Sequence, residues 1–362
     1  MKTIFKALLL LIALSAVPVF AQSDFEATKA RAEAGDAQSQ YNLGVMYGEG
    51  TGVAKNDQEA ASWYRLSAEQ GFADAQYNLG LGYLRGIGVA QNYQEAFKWC
   101  RLAAEQGLAV AQAILGLMYA NGTGVDEDDQ EAVKWYRLSA EQGFSDAQYN
   151  LGLMYGVGRG VVQNDQEAVK WFRLAAEQEH ADSQARLGYI YESGTGVTQN
   201  VQEAVRWYRL AAEQGNTNAQ YNLGVMYYDG IGVTKNYIEA VKWYRLSAEQ
   251  GMANAQYNLG MLYLNGTGVA QNDQEAVKWL RLAAGLGHVD SQGLLGGLLA
   301  EGRGVAKSIS KAYVWFSVAA ANGDTRAWQL RESIRNDLAP ADLSQAQALA
   351  TRCFESNYQD CD

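Results

Sequence analysis

The chain has 362 residues, of which 48% are hydrophobic, and a formal net charge of −11. A negatively charged surface repels phosphate groups, which argues against nucleic acid and anionic membranes as partners. The length alone would predict two domains. However, only two prolines occur, Pro18 and Pro340, so nothing between them marks a stiff linker or ends a helix through proline.

The N-terminus has the pattern of a secretory signal peptide. Lys2 and Lys6 precede an apolar run that ends at Phe20, and the small residue Ala21 favours cleavage before Gln22. The run is too short to span a bilayer comfortably, and no second apolar run follows it. We therefore expect residues 1–21 to be removed and the mature chain to be periplasmic or secreted, without membrane insertion.

Tryptophan recurs with a fixed period along the chain. Eight of the nine tryptophans stand 36 residues apart: Trp63, Trp99, Trp135, Trp171, Trp207, Trp243, Trp279 and Trp315. Such a period is typical of a repeat array, which grows by adding units instead of splitting into domains. We assign residues 22–35 to an N-terminal capping helix, 36–323 to eight repeats of 36 residues, and 324–362 to a C-terminal helical cap.

Each repeat has the pattern of two helices. The second helix starts after a pair such as Asn92 and Glu95, the spacing of a capping box, and ends at a glycine such as Gly107. Within the array, only Glu179 replaces that last glycine.

Recurring glycines and glutamines predict how the helices stack. Gly44 and its seven equivalents lie inside the first helix, where glycine costs about 1 kcal/mol relative to alanine. We therefore expect a close helix approach at the Ala60 and Ala68 positions, with the tryptophan filling the adjacent space. Gln40 recurs in every repeat, which favours a role in tying helix to helix.

The combined motif resembles Sel1-like repeats, which are related to tetratricopeptide repeats. The resemblance rests on the segment from Asp146 to Tyr155, on Gly158 and Gly160, and on the run from Asn164 to Gln178, and it covers all eight units. It implies an all-α fold, an α/α superhelical solenoid of helix-turn-helix repeats with a right-handed superhelix. It also implies a non-enzymatic scaffold or adaptor that binds other proteins and needs no cofactor.

The resemblance to tetratricopeptide repeats places the variable positions of the first helices in a concave groove. Tyrosine offers an apolar ring with a polar tip, and asparagine offers both a donor and an acceptor, so these residues could hold a protein or an extended peptide. Alternatively, they pack and bond within the array. The candidate groove residues are Tyr41, Asn42, Tyr77, Asn78, Ile114, Tyr149, Asn150, Arg186, Tyr221, Asn222, Tyr257 and Asn258. The 36-residue pattern is broken at Ile114, Arg186 and Leu294, where we expect specificity.

Enzymatic alternatives have little support in the sequence. The two histidines, His180 and His288, lie three repeats apart, so we expect no metal site, and we expect both on the surface at helix junctions. The motif from Ser308 to Lys311 matches a Ser-x-x-Lys nucleophile but fills a capping position. The acidic run 126–129 lacks the glycine spacing of a calcium loop. A hydrolase or a protein that binds cell-wall peptidoglycan or β-lactams remains the alternative function.

The cysteines leave two possibilities open. Cys353 and Cys361 lie eight positions apart, which suits a short-loop disulfide in an oxidising compartment or two free thiols. Cys100 occupies a position that is aromatic in most other repeats, so we expect it to be a small buried hydrophobe.

Overall fold

The computed structural model describes residues 19–361, with side chains from residue 24 onward. Over that range the chain consists of nineteen α-helices and one short 3₁₀ helix, with no strand. The predicted signal peptide lies outside the described residues, except for residues 19–21, which begin the first helix. Among the described helices, none has both the length and the apolar character needed to cross a bilayer.

Sixteen helices of 13 residues alternate as the first and second helices of the repeats. The first helices are α2 (Ala37–Glu49), α4 (Ala73–Arg85), α6 (Ala109–Asn121), α8 (Ser145–Val157), α10 (Ala181–Ser193), α12 (Thr217–Asp229), α14 (Ala253–Asn265) and α16 (Val289–Glu301). The second helices are α3 (Asp57–Glu69), α5 (Tyr93–Glu105), α7 (Asp129–Glu141), α9 (Asp165–Glu177), α11 (Val201–Glu213), α13 (Tyr237–Glu249), α15 (Asp273–Gly285) and α17 (Ile309–Ala321). They are flanked by α1 (Val19–Glu33), α18 (Thr325–Ile334), the 3₁₀ helix Arg335–Asp337 and α19 (Pro340–Glu355).

The helices form two compact units, divided between Trp171 and Phe172 inside α9. In the first unit, each helix from α1 to α8 packs against the next one along the chain. In the second unit, the same order holds from α10 to α17, and α17 also packs against α18 and α19. The all-α, helix-turn-helix architecture predicted from the sequence is therefore confirmed.

The second helices begin where the sequence predicts, although only half of the capping box forms. The Asn92 side chain accepts hydrogen bonds from the backbone N–H groups two and three residues later, each at 3.1 Å. The backbone N–H of Asn92 donates to the carbonyl of Tyr83 at 2.9 Å, so it does not need the glutamate side chain. Glu95 instead accepts a hydrogen bond from Trp99 Nε1 at 3.1 Å.

The predicted close approach at the Ala60 position is present, because a Cβ atom on Gly44 would lie 3.2 Å from the carbonyl oxygen of Ala60. The side chain that faces the helix glycine, however, is the one after the tryptophan, which is an aromatic ring in most repeats. A Cβ atom on Gly116 would lie 2.7 Å from the ring of Tyr136, the residue that follows the tryptophan on the second helix. A Cβ atom on Gly296 would lie 2.8 Å from the ring of Phe316. The reason is that consecutive residues on a helix point about 100° apart, so only one of the two aromatic residues can face the glycine.

The tryptophans link consecutive second helices. Trp99 on α5 shares a hydrophobic cluster with Ala68 on α3 and with Ala75 and Leu79 on α4. Its side chain is 9% exposed. The tryptophan period therefore marks contacts between one repeat and the preceding one, which an isolated repeat cannot make.

The recurring glutamines tie helix to helix through hydrogen bonds, as the sequence predicts. Gln76 Nε2 on α4 donates to the carbonyl of Ala68 on α3 at 3.1 Å. Gln76 Oε1 accepts from Gln106 Nε2, just beyond α5, at 2.7 Å. Gln76 is 4% exposed, so its bond to Ala68 is shielded from water, whereas its bond to Gln106 is partly buried. The two bonds tie each repeat to the preceding second helix and to its own.

The C-terminal tail packs against the last repeats. Cys353 and Cys361 are joined by a disulfide, with a Cα–Cα distance of 4.5 Å. Within the closed loop, the Tyr358 ring lies against Gly287, and Gln359 Nε2 donates to the last carbonyl of α15 at 3.0 Å. The third cysteine, Cys100, is fully buried, and burial raises the pKa of its thiol to about 12.

Candidate partner-binding face

The twelve candidate groove residues occupy the fifth and sixth positions of the first helices. We call the surface formed by these two positions the first-helix face. Eleven of the twelve side chains are half-buried, and Asn42 is exposed. These residues therefore combine packing against the array with partial access to solvent.

The asparagines of the first-helix face have partners within the array. Asn42 Oδ1 accepts a hydrogen bond from Gln38 Nε2 at 3.1 Å, one turn earlier in α2. Asn150 Nδ2 donates to the carbonyl of Asp146 at 2.9 Å, one turn earlier in its own helix. Internal bonding, one of the two alternatives for these residues, is therefore present, and each amide still has hydrogen-bonding capacity left.

The tyrosines pack against the end of the second helix of their own repeat. The Tyr41 ring centroid lies 5.9 Å from that of Tyr64 and 5.2 Å from that of Phe72. In the seventh repeat, Tyr257 stacks on His288 at 4.7 Å with an interplanar angle of 25°. Burial raises the pKa of Tyr41 and of Tyr257, so both hydroxyls stay protonated at neutral pH and can donate a hydrogen bond.

Of the three residues that break the regular pattern of this face, Ile114 and Leu294 are apolar and Arg186 is charged. Ile114 replaces asparagine with an apolar side chain, which packs beside Cys100 and Met118. Arg186 replaces it with a cation, whose guanidinium lies 6.0 Å from the ring of Phe172 and 5.7 Å from that of Tyr189. The face therefore differs chemically from one repeat to the next.

The sequence predicts both histidines on the surface at helix junctions. In the structure each one caps a helix and is half-buried. His180 Nδ1 accepts a hydrogen bond from the backbone N–H of Ser183 at 3.1 Å, and His288 Nδ1 accepts one from Ser291 at 3.3 Å. Burial lowers the pKa of His288. Among the described residues, no group of His, Cys, Asp or Glu is arranged to hold a metal ion.

The acidic run and the Ser-x-x-Lys motif both have structural roles. Arg159 forms ion pairs with Glu127 at 2.9 Å and with Asp129 at 2.6 Å, which ties the loop of the fourth repeat to the third. Ser308 Oγ accepts a hydrogen bond from the backbone N–H of Lys311 at 3.3 Å, and this bond caps the N-terminus of α17. Both residues of the motif also line a cavity of 610 Å³ between α17 and α19.

Sequence reasoning missed a recurring arginine–tyrosine pair between repeats. Arg65 Nη2 on α3 donates to the Tyr83 hydroxyl on α4 at 2.5 Å, and Arg137 donates to Tyr155 at 2.6 Å. The pair recurs in the second unit at Arg173, Arg209 and Arg245. Both residue types recur every 36 positions, so aligning the repeats would have suggested the pair.

Comparison with known proteins gives one consistent result. The family model described as "Sel1 repeat" matches residues 37–72, 73–108, 109–144, 145–180, 181–216, 217–252, 253–288 and 289–324. No protein of curated function is similar enough to count as a match.

Two solved structures are similar over most of the chain. A Sel1 repeat protein from Oxalobacter formigenes is 34% identical, with a TM-score of 0.66, over 89% of this chain and 95% of that one. A protective antigen present in uropathogenic Escherichia coli strains, which displays an SLR fold, is 35% identical, with a TM-score of 0.55, over 91% of this chain and 80% of that one.

Proposed function

Because the chain belongs to the Sel1 repeat family, we propose that it is a non-enzymatic scaffold that binds a partner protein or peptide along the first-helix face. Sel1 repeat proteins generally mediate protein–protein interaction. The net charge of −11 favours a protein partner over nucleic acid. The binding role requires no cofactor and no metal.

The observation that carries this proposal is the uneven use of side chains within a repeat. Positions that stack the array are the same or nearly the same in every unit, as the buried glutamines and the helix glycines show. The first-helix face keeps partial exposure and changes its chemistry, from asparagine to Ile114 and Arg186. Residues that vary while the fold stays constant are the ones that can distinguish partners.

Export to the periplasm or the cell exterior is part of the proposal. Three observations support it: the signal-peptide pattern of residues 1–21, the disulfide between Cys353 and Cys361, and the similarity to a protective antigen of uropathogenic bacteria. In this proposal the mature chain has an N-terminal capping helix from residue 22, eight repeats and a C-terminal helical cap from residue 324.

Site-specific crosslinking tests the proposed face. A photoreactive phenylalanine analogue replaces Ala185 on the first-helix face of α10, and in a control it replaces the exposed Gln202 on α11. The exported full-length chain is irradiated in cells, and adducts are identified by mass spectrometry. We expect a specific protein adduct from position 185 and none from position 202. The same adducts from both positions, or none from position 185, would contradict the proposal.

Restoring the repeat pattern tests where specificity lies. In the double variant Ile114→Asn/Arg186→Asn, both positions carry the residue that most other repeats have, so we expect the fold to be kept. Capture of the partner found by crosslinking should fall at least tenfold, because two of the three positions that differ from the pattern are lost. Unchanged capture by a chain with an unchanged circular dichroism spectrum would show that these residues do not select the partner.

A further inference from the structure

One position of the first helices lacks the large apolar side chain that its equivalents carry. In seven repeats the tenth residue of the first helix is methionine, isoleucine or leucine: Met46, Met118, Met154, Ile190, Met226, Leu262 and Leu298. Six of the seven are buried. In the second repeat the position is Gly82. A glycine here removes a buried side chain without any requirement for a left-handed backbone, because Gly82 lies inside α4.

The third repeat shows what a side chain at this position contacts. Met118 shares a hydrophobic cluster with Ala96 and Cys100, which lie on the second helix of the preceding repeat. One repeat earlier, the equivalents of those two residues are Ala60 and Tyr64. With glycine at position 82, no side chain from that position covers them.

A cavity of 390 Å³ lies at this place. Ala60, Tyr64 and Gly82 line it, together with Gly48, at which a Cβ would lie 3.7 Å from both the Ala60 Cβ atom and the Tyr64 hydroxyl. Two glycines therefore leave the space open. Its volume lies at the lower end of the range of pockets that bind small ligands.

The mouth of the cavity belongs to the first-helix face. Tyr41 and Asn78, both candidate groove residues, line it. The side-chain amide of Asn78 offers both donors and an acceptor to a peptide backbone. The lining is mixed: it includes Leu79, which is 1% exposed, and the charged residues Glu49, Asp57 and Arg85.

We propose that this cavity binds one methionine- or leucine-sized side chain of an extended peptide segment of the partner. The side chain takes the place that Met118 and its equivalents fill in the other repeats, while Tyr41 and Asn78 bind the adjacent peptide backbone. This inference rests on the proposed function, because it supplies an anchor for the same partner on the same face. Burial of such a side chain against alanine and a tyrosine ring is favourable because it removes apolar surface from water.

The probe for the cavity is N-acetyl-methionine methylamide. Its binding to the full-length chain is detected by saturation-transfer NMR. We expect saturable transfer to the methionine methyl group with the wild-type chain, and none to the methyl group of N-acetyl-alanine methylamide. In Gly82→Met the protein's own side chain occupies the cavity, so transfer should fall at least tenfold. No transfer with the wild-type chain, or equal transfer with Gly82→Met, would overturn the proposal.

A control variant and a smaller substitution make this result interpretable. Gly297→Met makes the same exchange on α16, where a Cβ would meet no atom within 4 Å, and should leave the transfer unchanged. A Cβ at Gly82 would lie 3.1 Å from the carbonyl oxygen of Ile87, so a small shift of the loop is needed. If Gly82→Met loses its helical spectrum, Gly82→Ala takes its place and should lower the transfer by a smaller factor.

Partner capture separates this inference from the proposed function. If the wild-type chain captures a partner and Gly82→Met captures it equally well, the anchor is wrong and the scaffold function stands. If the wild-type chain captures no protein, the scaffold function fails and the anchor fails with it. Loss of capture in Gly82→Met, with capture retained in Gly297→Met, supports both.

Discussion

Adding one methyl group to two helix glycines should change stability in opposite directions. In Gly116→Ala, the new Cβ would lie 2.7 Å from Tyr136, whose ring is 2% exposed and cannot move into solvent. The helix gains about 1 kcal/mol from the better helix former. Overpacking a rigid core costs about 1–3 kcal/mol. The net result should be a loss of about 1 kcal/mol in the free energy of unfolding.

In Gly297→Ala the gain in helix propensity stands alone. The new Cβ would meet no atom within 4 Å, so we expect a gain of about 1 kcal/mol in the free energy of unfolding. Urea unfolding of both variants, followed by circular dichroism, should therefore separate them by about 2 kcal/mol. Equal changes in the two variants would refute the close helix–ring approach as the reason for the recurring glycine.

Three further predictions concern the turns and the tail. Glu179 has a φ of 63°, so Glu179→Gly should stabilise the chain by about 1 kcal/mol, whereas the reverse exchange Gly143→Glu should destabilise it in the same urea assay. Replacing Cys353 and Cys361 by serine should cost about 2–3 kcal/mol for a loop this short, visible as earlier melting under non-reducing conditions. Burial lowers the pKa of His288, so the unfolded chain binds a proton at this residue more readily than the folded chain does. The free energy of unfolding should therefore fall as the pH drops below about 6.5. His288→Asn should remove this pH dependence.

The sequence predicted those features of the fold that depend on one residue type at one position. Caps such as Asn92, turn glycines such as Gly107 and the buried glutamines were predicted correctly, because each follows from local backbone chemistry or from strict recurrence. The 36-residue period was enough to predict the helix pairs, since a fixed period without insertions leaves the elements of every unit in register.

What the sequence did not predict depends on how neighbouring helices face each other. Tyr136, not the adjacent tryptophan, covers Gly116, and a backbone carbonyl takes the capping bond that we had assigned to a glutamate. The cavity at Gly82 was not predicted either. The missing side chain leaves a cavity only because the equivalent side chains in the other repeats are buried, and the sequence alone does not show that burial. Rotation about a helix axis and the depth of burial are set by packing, which periodicity alone does not specify.

The same regularity limits where the chain can recognise a partner. Residues that stack the repeats, such as Gln76 and Trp99, are buried and already bonded, so a substitution there would weaken the array before it changed any binding. A repeat protein can therefore gain specificity at low cost only where a position faces solvent or where a buried side chain is missing. Ile114 and Arg186 are half-buried positions that keep partial access to solvent, whereas Gly82 is a position where a buried side chain is missing. A variant at Gly82 that changed binding while keeping stability would show that the repeat tolerates a vacancy because a partner fills it.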